Sequence, residues 1–393
     1  MSRLPGRRAP GPHVNPIVGA LSRLYGYPPE EIVRPKLPSP PPTLDMEAST
    51  APLLARYGID QAYSFGYEQR RRTVPVICSP HAQDLRVPLL TGAEEVAVEP
   101  LPYSPPPVPL PLNRLCRYAT KFIGGRGGIW DDEVYRLLEI ETGRMHLRAH
   151  FGLGRFLDYR LTTGLLREEM AWALATGDPQ LPLREALLPT LAELTGFAGR
   201  ITAGGVQTLC AFADAEGFYW IPLQKRGNSI AEGAGNWAVV PMGFHQPAAS
   251  GDLDPAAPST TALRELYEEL FGGTETAREP EFLSYPAVDW IRKHSHSLDF
   301  EVTAFNLSML HGNYDFSLLL AIHDPWFWES FSPELRQSWE SESHLMMRSD
   351  DRDAWRELLL APNWETQALV TCVEGLRRLT QLGRIDGLPL KFD

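Results

Sequence analysis

The chain has 393 residues, of which 43% are hydrophobic and 22% charged, a composition typical of a globular protein with more than one domain. Its formal net charge of −12 argues against a broad nucleic-acid-binding surface, because phosphate backbones are bound by basic surfaces. No run of about 18 apolar residues occurs, which argues against a membrane span, and the first residues lack the apolar segment of a secretory signal.

The cysteines and the basic residues indicate the cellular compartment and the type of organism in which the protein occurs. Cys78, Cys116, Cys210 and Cys372 are far apart and form no CxxC or Cys/His pattern, so we expect reduced, mostly buried thiols. Arginine outnumbers lysine 32 to 5, and proline and alanine are abundant, as in bacteria with GC-rich genomes. These features predict a cytoplasmic bacterial protein.

Proline marks the first of three predicted parts of the chain. Residues 1–112 hold 22 of the 36 prolines, and they predict a loosely structured arm because proline removes backbone donors and favours extended neighbours. Within this arm, residues 43–60 predict a short helix and residues 72–80 a short strand. Residues 113–197 predict a small α+β module, and residues 198–393 predict a larger domain that ends in helices.

Several elements are predicted by periodicity and turn residues. Residues 132–152 predict a β-hairpin that turns at Gly143. Residues 165–177 and 183–196 have apolar residues at helical spacing and end in glycine. The glycine cluster at 124–128 lacks the Lys-Ser/Thr of a phosphate-binding loop and predicts a flexible connection. Apolar runs predict five later strands and a final helix, at residues 201–214, 217–226, 236–244, 297–310, 314–324 and 363–383.

Residues 261–273, TALRELYEELFGG, predict an amphipathic helix with Ser259, Thr260 or Thr261 as its N-cap. Glu265, Glu268 and Glu269 are spaced at i, i+3 and i+4, so they share one face while leucines turn toward the core. Like charges at these spacings repel one another. The three glutamates therefore form either a solvated outer face or a binding site for a divalent cation, and the sequence of the helix alone favours the solvated face.

The residues ahead of this helix add weight to the second interpretation. A predicted strand contains Trp237 and ends in Pro241 and Gly243, and a loop leads from it to RELYEEL at residues 264–270. This strand, loop and helix resemble the Nudix motif, in which a glycine-containing loop precedes Arg-Glu-apolar-any-Glu-Glu. The resemblance extends over residues 198–330, about a third of the chain.

The resemblance implies an α/β (α+β) fold, a Nudix-like α/β/α sandwich with a mixed sheet. It also implies Mg²⁺-dependent or Mn²⁺-dependent hydrolysis of a diphosphate bond in a nucleoside diphosphate-linked substrate. Glu268 and Glu269 would be metal ligands, and Glu265 would add a ligand or take a proton from the attacking water. Arg264 would hold Glu265 by a charge-assisted hydrogen bond. The expected partner is a nucleotide-like small molecule, and no membrane or nucleic acid.

Other residues are candidates for substrate binding. Trp237 and Phe244 could stack on a nucleobase, His245 with Gln246 could contact it, and Gly243 belongs to the same set. For each of these side chains the alternative is a structural role in the core.

Acidic and histidine residues beyond the motif give weaker signals. Glu301 is the candidate for an extra acidic residue that the family often supplies from outside the motif. His294 and His296 could form a metal pair on a strand, but their surroundings favour a polar loop.

Departures from the motif keep a second function open. The connection between Gly243 and Arg264 is longer than in the family, and it carries Asp252 and Asp254 in place of the expected glutamate. Phe271 stands where the motif has a glycine. The hydrolase is favoured, and the alternative is a catalytically degenerate Nudix-fold module that binds a ligand or regulates a partner.

Overall fold

The computed structural model describes residues 15–33, 44–59, 62–78, 85–123, 131–227, 235–247, 256–274, 279–336 and 341–392. The glycine cluster at 124–128 and the loop aspartates at 252 and 254 lie outside these ranges.

The helices and strands follow one another in mixed order along the chain. The α-helices are α1 (Pro16–Tyr25), α2 (Pro29–Val33), α3 (Met46–Tyr57), α4 (Leu112–Tyr118), α5 (Thr120–Ile123), α6 (Phe156–Arg160), α7 (Leu166–Thr176), α8 (Pro182–Leu187), α9 (Leu191–Thr195), α10 (Pro258–Leu270), α11 (Glu279–Ser284), α12 (Pro286–Lys293), α13 (Pro325–Phe331), α14 (Arg352–Leu359) and α15 (Thr366–Gln381). The strands are β1 (Ser64–Tyr67), β2 (Arg70–Thr73), β3 (Val76–Cys78), β4 (Val87–Pro88), β5 (Glu94–Pro102), β6 (Glu133–Gly143), β7 (His146–Arg155), β8 (Gly204–Ala213), β9 (Tyr219–Arg226), β10 (Trp237–Val239), β11 (Met242–Phe244), β12 (Leu298–Ser308), β13 (Tyr314–Ile322), β14 (Ser341–Arg348) and β15 (Leu390–Phe392).

The largest sheet is mixed. Its strand order is β10-β9-β8-β13-β12-β3, with β11 paired to β8, β14 to β9 and β4 to β12. Strands β8 and β13 run parallel, whereas β12 and β13 form an antiparallel pair. The α/β (α+β) class with a mixed sheet is therefore confirmed.

Helices cover both faces of this sheet. Along β13, Phe316, Leu318 and Leu320 pack with the apolar side of α10, whereas Leu319 and Ala321 pack with α15. Because side chains alternate between faces and both faces are covered, the central strands are apolar along most of their length. This explains why their sequences show long apolar runs, and it makes the domain a sandwich of helix, sheet and helix.

Segments from the first third of the chain complete the smaller sheets. Strand β1 pairs with β2 on one side and with β15 on the other, and β3 pairs with β12 at the edge of the large sheet. Strand β5 runs parallel to β7 beside the β6–β7 hairpin. The division at residues 112 and 197 remains a prediction, and this pairing shows that described parts of 1–112 contact the rest of the chain.

Local signals located many elements correctly. The β6–β7 hairpin is confirmed, but it turns at Arg144–Met145, directly after Gly143, which is still paired with His146. Helices α3, α7 and α15 are also confirmed, and they are followed by glycines in the left-handed region at Gly58, Gly177 and Gly383. The single helix predicted at 183–196 is wrong. Pro189 lies between α8 and α9 and divides the segment, because proline cannot supply the N–H that a continuous helix needs.

The strand predicted at 236–244 is also two strands. The break falls at Val240–Pro241, so β10 pairs with β9 while β11 pairs with β8. Among the helices of the described ranges, none combines the length and apolar character needed to cross a bilayer.

Candidate active site

Helix α10 is capped by a residue from a distant strand. It begins at Pro258, and its N-cap residue Ala257 provides no side-chain hydrogen bond, so the expected local cap is wrong. The Ser259 backbone N–H instead donates to Glu94 Oε2 at 3.3 Å, and the Ser259 hydroxyl donates to the same carboxylate. Glu94 thus fixes the start of α10 from β5, where no sequence pattern near the helix could reveal it.

Arg264 ties α10 to the connection after β11. Its side chain is 4% exposed, and Nη1 donates to the Gln246 carbonyl at 2.9 Å. Nη2 donates to the Phe244 carbonyl at 3.4 Å and to Glu265 Oε1 at 2.8 Å. A guanidinium group suits this position because its donors point in several fixed directions. Arg264 therefore fixes the Glu265 carboxylate relative to the backbone that follows β11.

Gly243 provides the space in which the Glu265 carboxylate lies. A Cβ atom built on Gly243 would be 2.0 Å from Glu265 Cδ and 2.2 Å from Oε1. Real Cβ atoms do not approach other atoms so closely, so any side chain here would displace the carboxylate. The glycine is thus required for close approach of helix and strand, a use of glycine independent of backbone angles.

The other two carboxylates have different surroundings. Glu269 Oε2 accepts the Met242 backbone N–H at 3.0 Å and the Gln224 amide at 3.3 Å. Glu268 Oε1 lies 3.9 Å from Arg264 Nε. Glu265 and Glu269 therefore reach neighbouring residues of β11, while Glu268 lies beside the arginine.

The arrangement of these carboxylates can be compared with the ligands that a divalent cation requires. Within the described residues, no group of three or more His, Cys, Asp or Glu side chains is arranged to hold a metal ion. Mg²⁺ often takes only one or two protein carboxylates and fills its remaining positions with water and phosphate oxygens. Glu265 lies against Gly243 and Glu269 accepts a hydrogen bond from Met242, so the two carboxylates contact adjacent residues of β11.

The aromatic candidates pack against different core clusters. Trp237 is half-buried against the α15 side of the sheet, and its backbone N–H donates to the Asn363 carbonyl at 2.7 Å. Phe244 packs edge to face on Phe156, with ring centroids 5.0 Å apart, and it lies 5.7 Å from Tyr159. Phe244 is therefore the candidate nearest to Gly243, and Trp237 lies farther along the sheet edge.

His245 is a core residue in this structure. Its side chain is 0% exposed, and Nδ1 is 2.8 Å from the Tyr314 hydroxyl. The rings of Phe151 and Tyr314 meet it edge to face. A substrate cannot reach a side chain so enclosed, and we therefore leave His245 out of the proposed site.

The burial of His245 has a measurable consequence for stability. Burial, aided by the positive charge of Arg264, lowers the pKa of His245 from 6.5 to about 3. Below pH 6.5 His245 takes up a proton in the unfolded chain but stays neutral in the folded chain. Its contribution to the free energy of unfolding therefore decreases as pH falls, by about 2 kcal/mol at pH 5. Urea denaturation should show that the free energy of unfolding falls between pH 7 and pH 5 by about 2 kcal/mol less in His245→Asn than in wild type. Equal losses would contradict a neutral imidazole.

The candidates outside the motif lie away from α10. Glu301 of β12 is 6% exposed and forms an ion pair with Arg378 of α15, so the structure does not bring it together with Glu265. His294 follows α12 and stacks on Trp290 at 4.4 Å, and His296 lies in a 3₁₀ turn. The two histidines therefore lie in a turn and not on a strand.

Sequence reasoning missed Gln224 and Glu94 as supports of α10. Gln224 is fully buried in β9, where a polar side chain between Leu223 and Lys225 gave a weak signal of a specific partner. Gln224 is 45 residues away from its partner Glu269, and Glu94 is 165 residues away from its partner Ser259.

Comparisons with known proteins yield structural neighbours only. No family model and no curated protein sequence matches the chain. A Nudix hydrolase from M. smegmatis, RenU, shares 15% identity at a TM-score of 0.25, with 47% of this chain and 89% of that chain covered. A Nudix hydrolase from Alicyclobacillus acidocaldarius shares 13% identity at a TM-score of 0.27, with 46% and 95% covered. These values assign no family, and the function must be inferred from the site.

Proposed function

We propose that this protein is a Nudix-type hydrolase that uses Mg²⁺ or Mn²⁺ to cleave the diphosphate bond of a nucleoside diphosphate-linked substrate. The observation that supports this proposal is the Glu265 carboxylate, which lies directly against Gly243 and is held there by Arg264. An ordinary solvated helix face would not need a glycine beneath a carboxylate or an arginine bonded to two carbonyl groups beside it.

Each residue has a role in this proposal. When bound, the divalent cation would neutralise phosphate oxygens and activate water. Glu265 and Glu269 would hold it, with Glu268 beside Arg264 as the third candidate ligand. Water adds to phosphorus, the bridging P–O bond breaks, and Glu265 accepts the proton that the water loses. Arg264 would keep Glu265 oriented throughout, and Phe244 and Trp237 would contact the rest of the substrate.

Neutral replacements of the acidic residues test the proposal. With Mg²⁺ and a panel of nucleoside diphosphate sugars and dinucleotides, Glu265→Gln, Glu268→Gln and Glu269→Gln should each lower kcat/KM by about 100- to 10,000-fold. The matched control is Glu357→Gln on the exposed side of α14, which should retain wild-type rates. Product formation can be followed by phosphorus NMR. Equal rates in wild type and the three variants, or no turnover of any compound, would refute the hydrolase.

One observation favours a second candidate, a binding module without catalysis. Glu269 already accepts hydrogen bonds from Met242 and Gln224, as a purely structural carboxylate would. A binding module should show a rise in Tm with a nucleotide, as expected for a ligand that binds only the folded state, and no product. Rapid turnover of the stabilising nucleotide would exclude this candidate.

A further inference from the structure

A cavity lies on the α10 face of the large sheet, next to the candidate active site. It has a volume of about 450 Å³ and is formed by α13, the 3₁₀ turn Ser332–Glu334 that follows it, and β14. The residues that line it are half-buried or exposed, so a ligand can reach them, and they include Trp328, Leu335, Arg336, His344 and Met346. A cavity of this size can hold a small molecule.

Strand pairing places this cavity beside the Glu269 carboxylate. Gln224 of β9 donates to Glu269 Oε2 at 3.3 Å, and its direct cross-strand neighbour in β14 is His344. Directly opposite residues of an antiparallel pair point to the same face of the sheet, about 5 Å apart. The Arg336 backbone N–H also donates to the Leu270 carbonyl at 2.8 Å, so the cavity adjoins the C-terminal end of α10. It therefore lies on the same face as the carboxylates, one strand away from the glutamine that contacts Glu269.

Trp328 provides a flat aromatic wall for the cavity. Its ring is stacked on that of Trp220 with an interplanar angle of 4° and ring centroids 5.8 Å apart, and it lies 6.2 Å from the ring of Phe212. These contacts fix the plane of a ring that also lines the cavity. A ring held in this way is suited to stack on the planar base of a nucleotide.

Arg336 provides hydrogen-bond donors at the same cavity. Its Nη1 donates to the carbonyl groups of Pro333 and Leu335 at 3.0 and 3.1 Å, which holds the guanidinium group close to the cavity. A guanidinium group has five N–H donors, so it can bond these two carbonyl groups and a ligand at the same time. Arginine binds the acceptor atoms at base edges in nucleic acids. The cavity thus combines an aromatic wall with donors suited to the edge of a base.

We propose that this cavity binds the base of the substrate nucleotide, which stacks on Trp328 and accepts hydrogen bonds from Arg336. This inference rests on the proposed function for the nature of the ligand. At Gln224, β9 pairs with β10 along one edge and with β14 along the other. The base lies on the β14 side of the carboxylates, and the other half of the diphosphate-linked substrate extends toward Phe244. Phe244 therefore contacts that other half and not the base.

The experiment measures binding without turnover. Isothermal titration in EDTA compares AMP, GMP, CMP and UMP with ribose 5-phosphate, which lacks a base, on the full chain. Wild type should bind at least one nucleotide about 10- to 100-fold more tightly than ribose 5-phosphate, as expected for a base stacked on an aromatic ring. Trp328→Leu and Arg336→Gln should each reduce this ratio to about threefold or less. Trp328→Phe keeps an aromatic ring and should keep most of the preference.

Two residues outside the cavity supply matched controls. Trp326 lies on the same helix as Trp328 and is 51% exposed, and Arg292 is an exposed arginine of α12. Trp326→Leu and Arg292→Gln should keep the wild-type ratio. Thermal unfolding of every variant separates a lost base preference from a loss of folded protein. If Trp328→Leu does not fold, Arg336→Gln decides alone, because Arg336 is exposed.

The outcomes separate this inference from the hydrolase. No binding of any nucleotide, equal binding of nucleotides and ribose 5-phosphate by wild type, or an unchanged ratio in folded Trp328→Leu or in Arg336→Gln would overturn the base site. Hydrolysis in Mg²⁺ together with any of these results would refute the base site alone. A base preference that both variants lose, without turnover in Mg²⁺, would support the base site and refute the hydrolase.

Discussion

Gly243→Ala is expected to lower Mg²⁺-dependent hydrolysis by about 100-fold or more while the fold is retained, because displacing a reacting group by about 1 Å has effects of this size. The new methyl group would occupy the position of the Glu265 carboxylate, since it would lie 2.0 Å from Cδ. The end of a glutamate side chain can move aside at little cost in stability. Activity would therefore be lost without a comparable loss of folded protein, as kcat/KM and thermal unfolding measured on the same sample would show.

A second glycine provides the control for this substitution. At Gly152 of β7 a Cβ atom would meet nothing closer than 3.5 Å, which is ordinary contact. Gly152→Ala should therefore keep both activity and Tm. If Gly243→Ala were as active as Gly152→Ala, Glu265 would not act from the position described here.

Arg264→Met is expected to destabilise the folded protein by roughly 3–5 kcal/mol, because removing one partner of a buried ion pair leaves the other charge uncompensated. Arg264 is 4% exposed and its neighbours Glu265 and Glu268 are 12% and 11% exposed. The substitution also removes the donors to the Phe244 and Gln246 carbonyl groups. Urea denaturation at pH 7 would measure the change in the free energy of unfolding.

An exposed ion pair gives the matched comparison. Lys293 and Asp289 also belong to one helix, but the lysine side chain is 67% exposed. Lys293→Met should change stability by no more than about 0.5 kcal/mol. A loss below about 1 kcal/mol for Arg264→Met would show that the arginine does not hold α10 to β11.

Secondary structure could be predicted wherever local chemistry decides it. The β6–β7 hairpin and the helices followed by Gly177 and Gly383 were predictable because turn and cap residues act on their immediate neighbours. The start of α10 was not predictable, because it is capped by Glu94, which is 165 residues away from Ser259.

The same distinction applies to the site. The contact between Arg264 and Glu265 joins adjacent residues, so the motif alone suggested it. The burial of His245 and the pairing of Glu301 with Arg378 depend on which side of a strand faces which helix, and no pattern around either residue contains that information.

The pairing of β1 with β15 bears on how the protein is made in the cell. Phe65 stands opposite Phe392, so β1 finds its second neighbour only after residue 392 has left the ribosome. At about 5–20 residues per second, translation of the intervening segment takes roughly 16–65 s. During that time β1 can pair only with β2, and a two-stranded hairpin is marginally stable alone. The pairing of β1 with β15 is therefore a late step, and until it occurs nascent chains would expose an open strand edge that chaperones can bind.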